Sequence, residues 1–284
     1  LAALEEADLA SALSDSGATF TVFAPNNDAF GPINTEVLLG QSDALEAVIG
    51  YHVIPDAEIA ASSLEDGENT VETRSGDQLT VNVTDDGIFI DDAQVIQTDV
   101  EAANGIIHVV DRALLGNQNL ANVTWFVNET EQLYNTVVDA GLGDAFAGAE
   151  GWTVFGPNNA TFEEADLSGF SDEEIQQILR YHVYAESAAD SGSLLGLLDE
   201  NDGTVSIETL QGEDLTITQD EEQIVFNGGQ ATLDTENLDY TASNGILHVI
   251  DGLLLPPSIA EANADAISYD LAAQSNDGAI EGDA

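Results

Sequence analysis

Few side chains in this 284-residue chain could do chemistry. Cysteine is absent, which excludes disulfides, thiolate nucleophiles and thiolate metal sites. Four histidines remain, His52, His108, His182 and His248, and an imidazole can move a proton or bind a metal near neutral pH. Metal binding needs several ligands to converge, yet no His-x-x-x-His or comparable spacing occurs, so no histidine metal site is expected. There is no Gly-x-Ser-x-Gly elbow. Gly141-Leu-Gly143 lacks the third glycine of a dinucleotide loop and follows a helical pattern rather than a strand. Asp85-Asp86 and the run Asp199 to Gly203 fall short of a calcium loop and read as solvated acidic turns. With no nucleophile, base and orienting group to assemble, catalysis is not expected. Asn82, Asn122, Asn128 and Asn159 each open an Asn-x-Thr sequon, which matters only if the protein reaches a glycosylating compartment. Asn122 and Asn128, near the middle of the chain, are the foremost of the four.

The elements that carry the histidines explain why these rings are there. Leu45, Val48, Ile49 and His52 fall at i, i+3, i+4 and i+7, as do Ile175, Ile178, Leu179 and His182, so each histidine sits on the apolar face of a helix. Ser171 and Glu174 form a capping box at the start of the second of these helices. His108 and His248 lie in strands apolar on both faces, entered through the tight-turn pairs Asn104-Gly105 and Asn244-Gly245 and ended by Asp111 and Asp251. A histidine on an apolar face is expected to be neutral, bonded to backbone and structural.

These pairings belong to a larger duplication. Thr21-Val-Phe-Ala-Pro-Asn-Asn-Asp-Ala-Phe30 recurs as Thr153-Val-Phe-Gly-Pro-Asn-Asn-Ala-Thr-Phe162. Tyr51-His-Val53 recurs as Tyr181-His-Val183, and Asn104 to Asp111 as Asn244 to Asp251. Offsets of 132, 130 and 140 residues make the copies whole domains in tandem. We expect a first domain over 1–116, a packed connector over 117–127, a second domain over 128–256, and an acidic tail over 257–284 with one isolated strand from Ile267 to Ala273. In the second copy a leading helix can start near Asn128. Its counterpart in the first copy falls before Leu1, so that domain is expected to lack a leading turn or two. In each copy a strand ends at Pro25 or Pro157, which cannot continue a central ladder, and Asn26 or Asn158 then caps a helical turn ahead of Phe30 or Phe162. Short alternating runs follow, Gln78 to Val83, Gly87 to Ile90 and Gln94 to Thr98, matched by Leu215 to Thr218, Gln223 to Phe226 and Gln230 to Leu233. Each domain is therefore α+β, with a final strand returning to meet the first.

Composition adds the solvent. The chain carries 54 Asp and Glu against three arginines and no lysine, a formal net charge of -51, while 43% of residues are hydrophobic. A core can form, and nucleic acid and acidic membranes are poor partners. Net charges spaced on the order of 15 Å apart on a folded surface of this mass repel strongly when the Debye length is about 30 Å, and barely at about 3 Å in molar salt. A halophilic source is expected. No window approaches 18 apolar residues, so no membrane span is expected.

The three ordered blocks resemble those of fasciclin domains: an early Thr-Val-Phe-Ala-Pro block, a central Tyr-His, and a late Asn-Gly-x-(Ile/Val)-His-x-(Ile/Val)-Asp block. The departures are Asn26 and Asn158 in place of Thr or Ser, and Gly156 in place of Ala. The resemblance covers about residues 1 to 256. It implies two wedge-shaped β-sandwiches with helices packed on one side, no enzymatic activity or cofactor, and an extracellular or surface-attached adhesion and matrix role. In animal relatives the Tyr-His region is associated with receptor binding, which would carry onto Tyr51, His52, Tyr181 and His182. Expected partners are surface or matrix proteins or glycans, and other copies of the chain. The alternatives are a subunit of an extracellular filament assembled through domain-domain contacts or the C-terminal strand, and a protein that holds a small apolar ligand.

Overall fold

A computed structural model describes residues 9–220 and 223–262. The expected tail strand and the expected loss of leading turns lie outside these residues.

In the first copy, β1 (Phe20–Pro25) runs parallel to β7 (Gly105–Val110), in register from Phe20 opposite Gly105 to Pro25 opposite Val110. The pairing depends on Gly105. A Cβ there would lie 1.9 Å from the carbonyl oxygen of Phe20, and φ is +155°. On the outer side of β1 lies the antiparallel β2 (Val53–Pro55). On the far side of β7 follow β6 (Ala93–Ala102), β5 (Gly87–Ile90), β4 (Gln78–Thr84) and β3 (Gly67–Glu72). Register shifts along β6, between Val95 and Gln97 and again before Val100, break the ladder with bulges, which bend and twist a sheet. The two ends of the sheet share one core: Phe23, Ile54 and Val110 bury with Leu79, Val81 and Ile90. The sandwich is thus one continuous ladder folded over a common core, with β2 and β3 at its edges.

The second copy repeats the plan. β8 (Trp152–Pro157) runs parallel to β15 (Gly245–Asp251), with β9 (Val183–Tyr184) outside and β10 (Thr204–Glu208), β11 (Asp214–Asp220), β12 (Gln223–Phe226) and β13 (Ala231–Leu233) on the other side. Where the first copy has the long β6, the second has β13 and β14 (Tyr240–Ala242), both paired with β15.

Helices cover the other faces. In the first copy these are α1 (Leu9–Leu13), α2 (Thr35–Leu39) and α3 (Ser42–Tyr51). A connector helix, α4 (Leu120–Phe126), is capped by Asn119, whose side chain accepts from the Asn122 N–H. Then come α5 (Glu131–Asp139), α6 (Gly143–Ala147), α7 (Asn159–Glu164), α8 (Asp172–Tyr181), α9 (Ser191–Glu200) and α10 (Pro257–Ala262). The Ser171–Glu174 capping box is present.

The connector is common property of both domains. Leu120, Val123 and Phe126 are completely buried, in a cluster that also holds Leu38, Leu45 and Val48 from the first copy and Val137, Leu247 and Val249 from the second. Backbone bonds fix it to both sides. Asn34 N–H donates to the Phe126 carbonyl at 2.7 Å, Asn128 N–H to Pro32 at 2.7 Å, and Ser243 N–H to Gln118 at 2.7 Å.

Candidate functional site

Each histidine is spent on backbone groups of its own copy. His52 ends α3, and its Nδ1 donates to the Val48 carbonyl at 2.7 Å while its Nε2 accepts from Leu114 N–H at 2.9 Å. His182 does the same with Ile178 at 2.8 Å and Leu254 at 3.0 Å. Neutral imidazole with the proton on Nδ1 is the one form that satisfies both bonds. Burial pushes both rings down to about 4. His108 uses the opposite tautomer: Nε2 donates to Ile59 at 2.8 Å and Nδ1 accepts from Asp99 N–H at 3.3 Å. His248 pairs likewise with Ala189 at 2.8 Å and Asp239 N–H at 3.2 Å, and burial lowers its pKa. One station ties the helix end to the chain leaving the last strand. The other ties that strand to the loop at Ile59 and to Asp99 of β6 in the first copy, and to the loops at Ala189 and Asp239 in the second. Among the described residues no group of three or more metal-ligating side chains converges.

The two tyrosines taken as adhesion candidates are interior. Tyr51 is 3% exposed, its hydroxyl donating to Asp91 Oδ2 at 2.7 Å, and Tyr181 is 0% exposed, donating to the Asp214 carbonyl at 2.7 Å and accepting from Asn227. Neither phenol can meet a receptor on the folded surface. The remaining signature residues stand at the corners. Asn26 N–H bonds Val110 and Asn158 N–H bonds Ile250 just past Pro25 and Pro157, while their side chains accept from Ala29 and Thr161 N–H at 2.8 Å. Asn104 and Asn244 do more than turn the chain. Their amides donate to the last carbonyls of the preceding helices, Leu13 and Phe146, both at 2.9 Å. Asn244 Oδ1 also accepts from Leu120 N–H at 2.7 Å, at the start of the connector. Asp111 holds Gln94 N–H at 2.7 Å, whereas Asp251 is exposed at the end of its strand. Phe162 packs on the shared core, whereas Phe30, at the end of a single 3-10 turn, is 39% exposed.

Three of the four sequon amides are hydrogen-bonded within the fold. The amide of Asn122 is held by Gln118 at 3.0 Å, that of Asn128 by Gly31 at 2.8 Å and that of Asn159 by the Asn128 carbonyl at 2.7 Å. Asn82 is exposed on β4 and carries no such side-chain bond among the described residues.

One charged constellation was missed by sequence reading. Arg112, just past β7, pairs with Asp92 at 3.2 Å, donates to the Leu238 carbonyl of the second copy and lies 5.6 Å from the ring of Tyr240. Asp92 is buried, which pushes its carboxyl up to about 7 even though the guanidinium pulls it down. Its neighbour Asp91 is raised as well, by burial. The partners of Arg112 lie 20 and more than 120 residues away, so no local spacing signals them.

With this geometry in place, comparison with known proteins is decisive. The profile of the Fasciclin domain matches residues 1–116 and again 128–256. The chain belongs to the Fasciclin family. It is built as two tandem fasciclin domains, and fasciclin domains are non-enzymatic modules of adhesion proteins. Transforming growth factor-beta-induced protein ig-h3 of Sus scrofa is 25% identical over 91% of this chain and 37% of its own length. Protein sll1483 of Synechocystis sp. is 42% identical over 40% of this chain and 64% of its own. The chain thus spans less than two thirds of either relative. A solved fasciclin domain pair from the insect cell adhesion molecule Fasciclin I aligns over 90% of this chain and 93% of its own, with 20% identity and a TM-score of 0.45.

Proposed function

We propose that this chain is a non-catalytic adhesion protein of the cell surface or extracellular matrix, working in concentrated salt through protein or glycan contacts. Family membership across both copies is the observation that carries this reading. The net charge of -51 supports the high-salt setting, because such a surface repels itself unless screened. We take the domains to run over 1–116 and 128–256 with 117–127 as connector, and the repeated residues, histidines included, to be scaffolding. Among the described residues no helix is long and apolar enough to cross a membrane. The apolar-ligand alternative finds little support: two depressions on the first domain, about 500 and 400 Å³, are open and lined by polar as well as apolar groups. The test is attachment of the native cell to surfaces and to other cells in molar salt, with and without the gene. Reduced attachment or aggregation is the expected result. Unchanged attachment, aggregation and biofilm would refute the reading.

A further inference from the structure

The two depressions are one groove. They share Asp43 and Ala47 and run along the outer face of α3, from Gly40 and Trp125 at one end to Arg74 and Asp77 at the other. We propose that this groove binds a short neutral oligosaccharide. The inference deepens the adhesion reading and rests on it for the biological source of the glycan.

The groove contains a preorganised row of amides. Asn122 Nδ2 donates to Gln118 Oε1 at 3.0 Å, Gln118 Nε2 to Asn117 Oδ1 at 3.0 Å, and Asn117 Nδ2 to the Ala47 carbonyl at 2.8 Å. Gln118 is 5% exposed, so the row is anchored in the protein rather than waving in solvent. Each amide keeps a second N–H or a second lone pair for a ligand. Planar groups carrying donors and acceptors side by side are what vicinal sugar hydroxyls require, and fixing them beforehand lowers the cost of binding.

Two further features fit the same ligand. Trp125 is stacked against Tyr134 at 5.0 Å with an interplanar angle of 7°, which fixes its indole at the groove wall as an apolar surface for the C–H groups of a sugar. Arg74 is one of three cations in the chain, yet it has no ion pair or side-chain hydrogen bond among the described residues although Asp43, Glu46 and Asp77 line the same groove. Its donors are available to an outside acceptor. Those three carboxylates disfavour phosphate or sulfate, and the polar lining disfavours a lipid or an apolar peptide.

In the second domain the corresponding positions are filled. The positions of Ala47 and Gly50 carry Gln177 and Arg180, and that of Asn117 carries Pro257. Glu213, in the place of Asp77, is taken by Ser258 of α10. The second domain thus supplies the blocking substitution.

The experiment titrates the whole chain in molar potassium chloride with neutral trisaccharides of glucose, galactose and mannose in both anomeric linkages, read by calorimetry and indole fluorescence. Sulfated and uronate trisaccharides and an apolar peptide serve as comparisons. At least one neutral sugar should bind, and Ala47→Gln should weaken it tenfold or more with the melting temperature unchanged. Arg74→Ala should weaken it several-fold without unfolding the chain. No heat and no fluorescence change with any neutral sugar would overturn the inference, as would equal binding by Ala47→Gln or preference for the sulfated sugar or the peptide. Attachment assays separate the two readings. If Ala47→Gln loses sugar but still attaches, the site stands and adhesion uses another surface; if sugars never bind while attachment needs the gene, the site alone fails.

Discussion

An imidazole that bonds backbone through both nitrogens cannot take up a proton without giving up an acceptor. His52 and His182 are held down to about 4, below their value in an unfolded chain. Stability is therefore full above about 6.5 and is lost as pH falls from there toward 4, on the order of 3 kcal/mol per ring. Asp92 acts in the opposite sense. Its folded value of about 7 exceeds the unfolded one, so its contribution is present in acid and lost as pH rises from about 4 to 7. Denaturant melts across pH should show a net climb from pH 4 to 6.5, because the buried rings of His52, His182 and His248 outweigh the raised carboxyls of Asp91 and Asp92. Asp92→Asn should steepen that climb, and a flat profile in both proteins would contradict the assignments. His182→Leu should cost about 2–4 kcal/mol, by stranding the Leu254 N–H and the Ile178 carbonyl, and leave sugar binding unchanged.

At the scale of elements, the parallel pair β1 and β7 is the feature most exposed to a single substitution. Gly105→Ala should unfold the first domain or cost more than about 3 kcal/mol, since the new Cβ collides with backbone that cannot retreat. Gly196→Ala, in α9 with open space around it, should instead stabilise by about 0.5–1 kcal/mol. Thermal melts of the two variants decide the matter. Much of this was legible beforehand. The stripes ending at His52 and His182, the strand stops at Pro25 and Pro157, and the return of Gly105–Val110 to the first strand all follow from period and punctuation. β3 and β10 were not legible, because edge strands such as Gly-Glu-Asn-Thr-Val-Glu carry few apolar residues and take their order from the neighbour. The amide row was equally invisible. Asn117, Gln118 and Asn122 look like ordinary connector polarity until α3 is laid beside them.

For the whole molecule, the two domains are joined by more than covalent continuity. Arg112→Met should leave Asp92 buried without its counterion, drive it further toward the neutral acid, and cost about 1–3 kcal/mol. Adding Asp92→Asn should recover part of that loss, a coupling measurable by a double-mutant cycle. Additive losses would mean the pair does not couple. Salt sets the background: the melting temperature should climb steeply between about 0.01 and 1 M potassium chloride, where the Debye length shrinks from about 30 to 3 Å. The buried connector has a mechanical corollary. A tether whose modules hinge freely gives way under small loads by straightening. Here the segment between the modules is packed core, with Phe126 and Val123 shut away from water, so there is no slack to draw out. Pulled at its ends, the pair should behave as a stiff strut up to the force at which a module ruptures, and a cell held by it would feel a sharp detachment threshold instead of a soft spring.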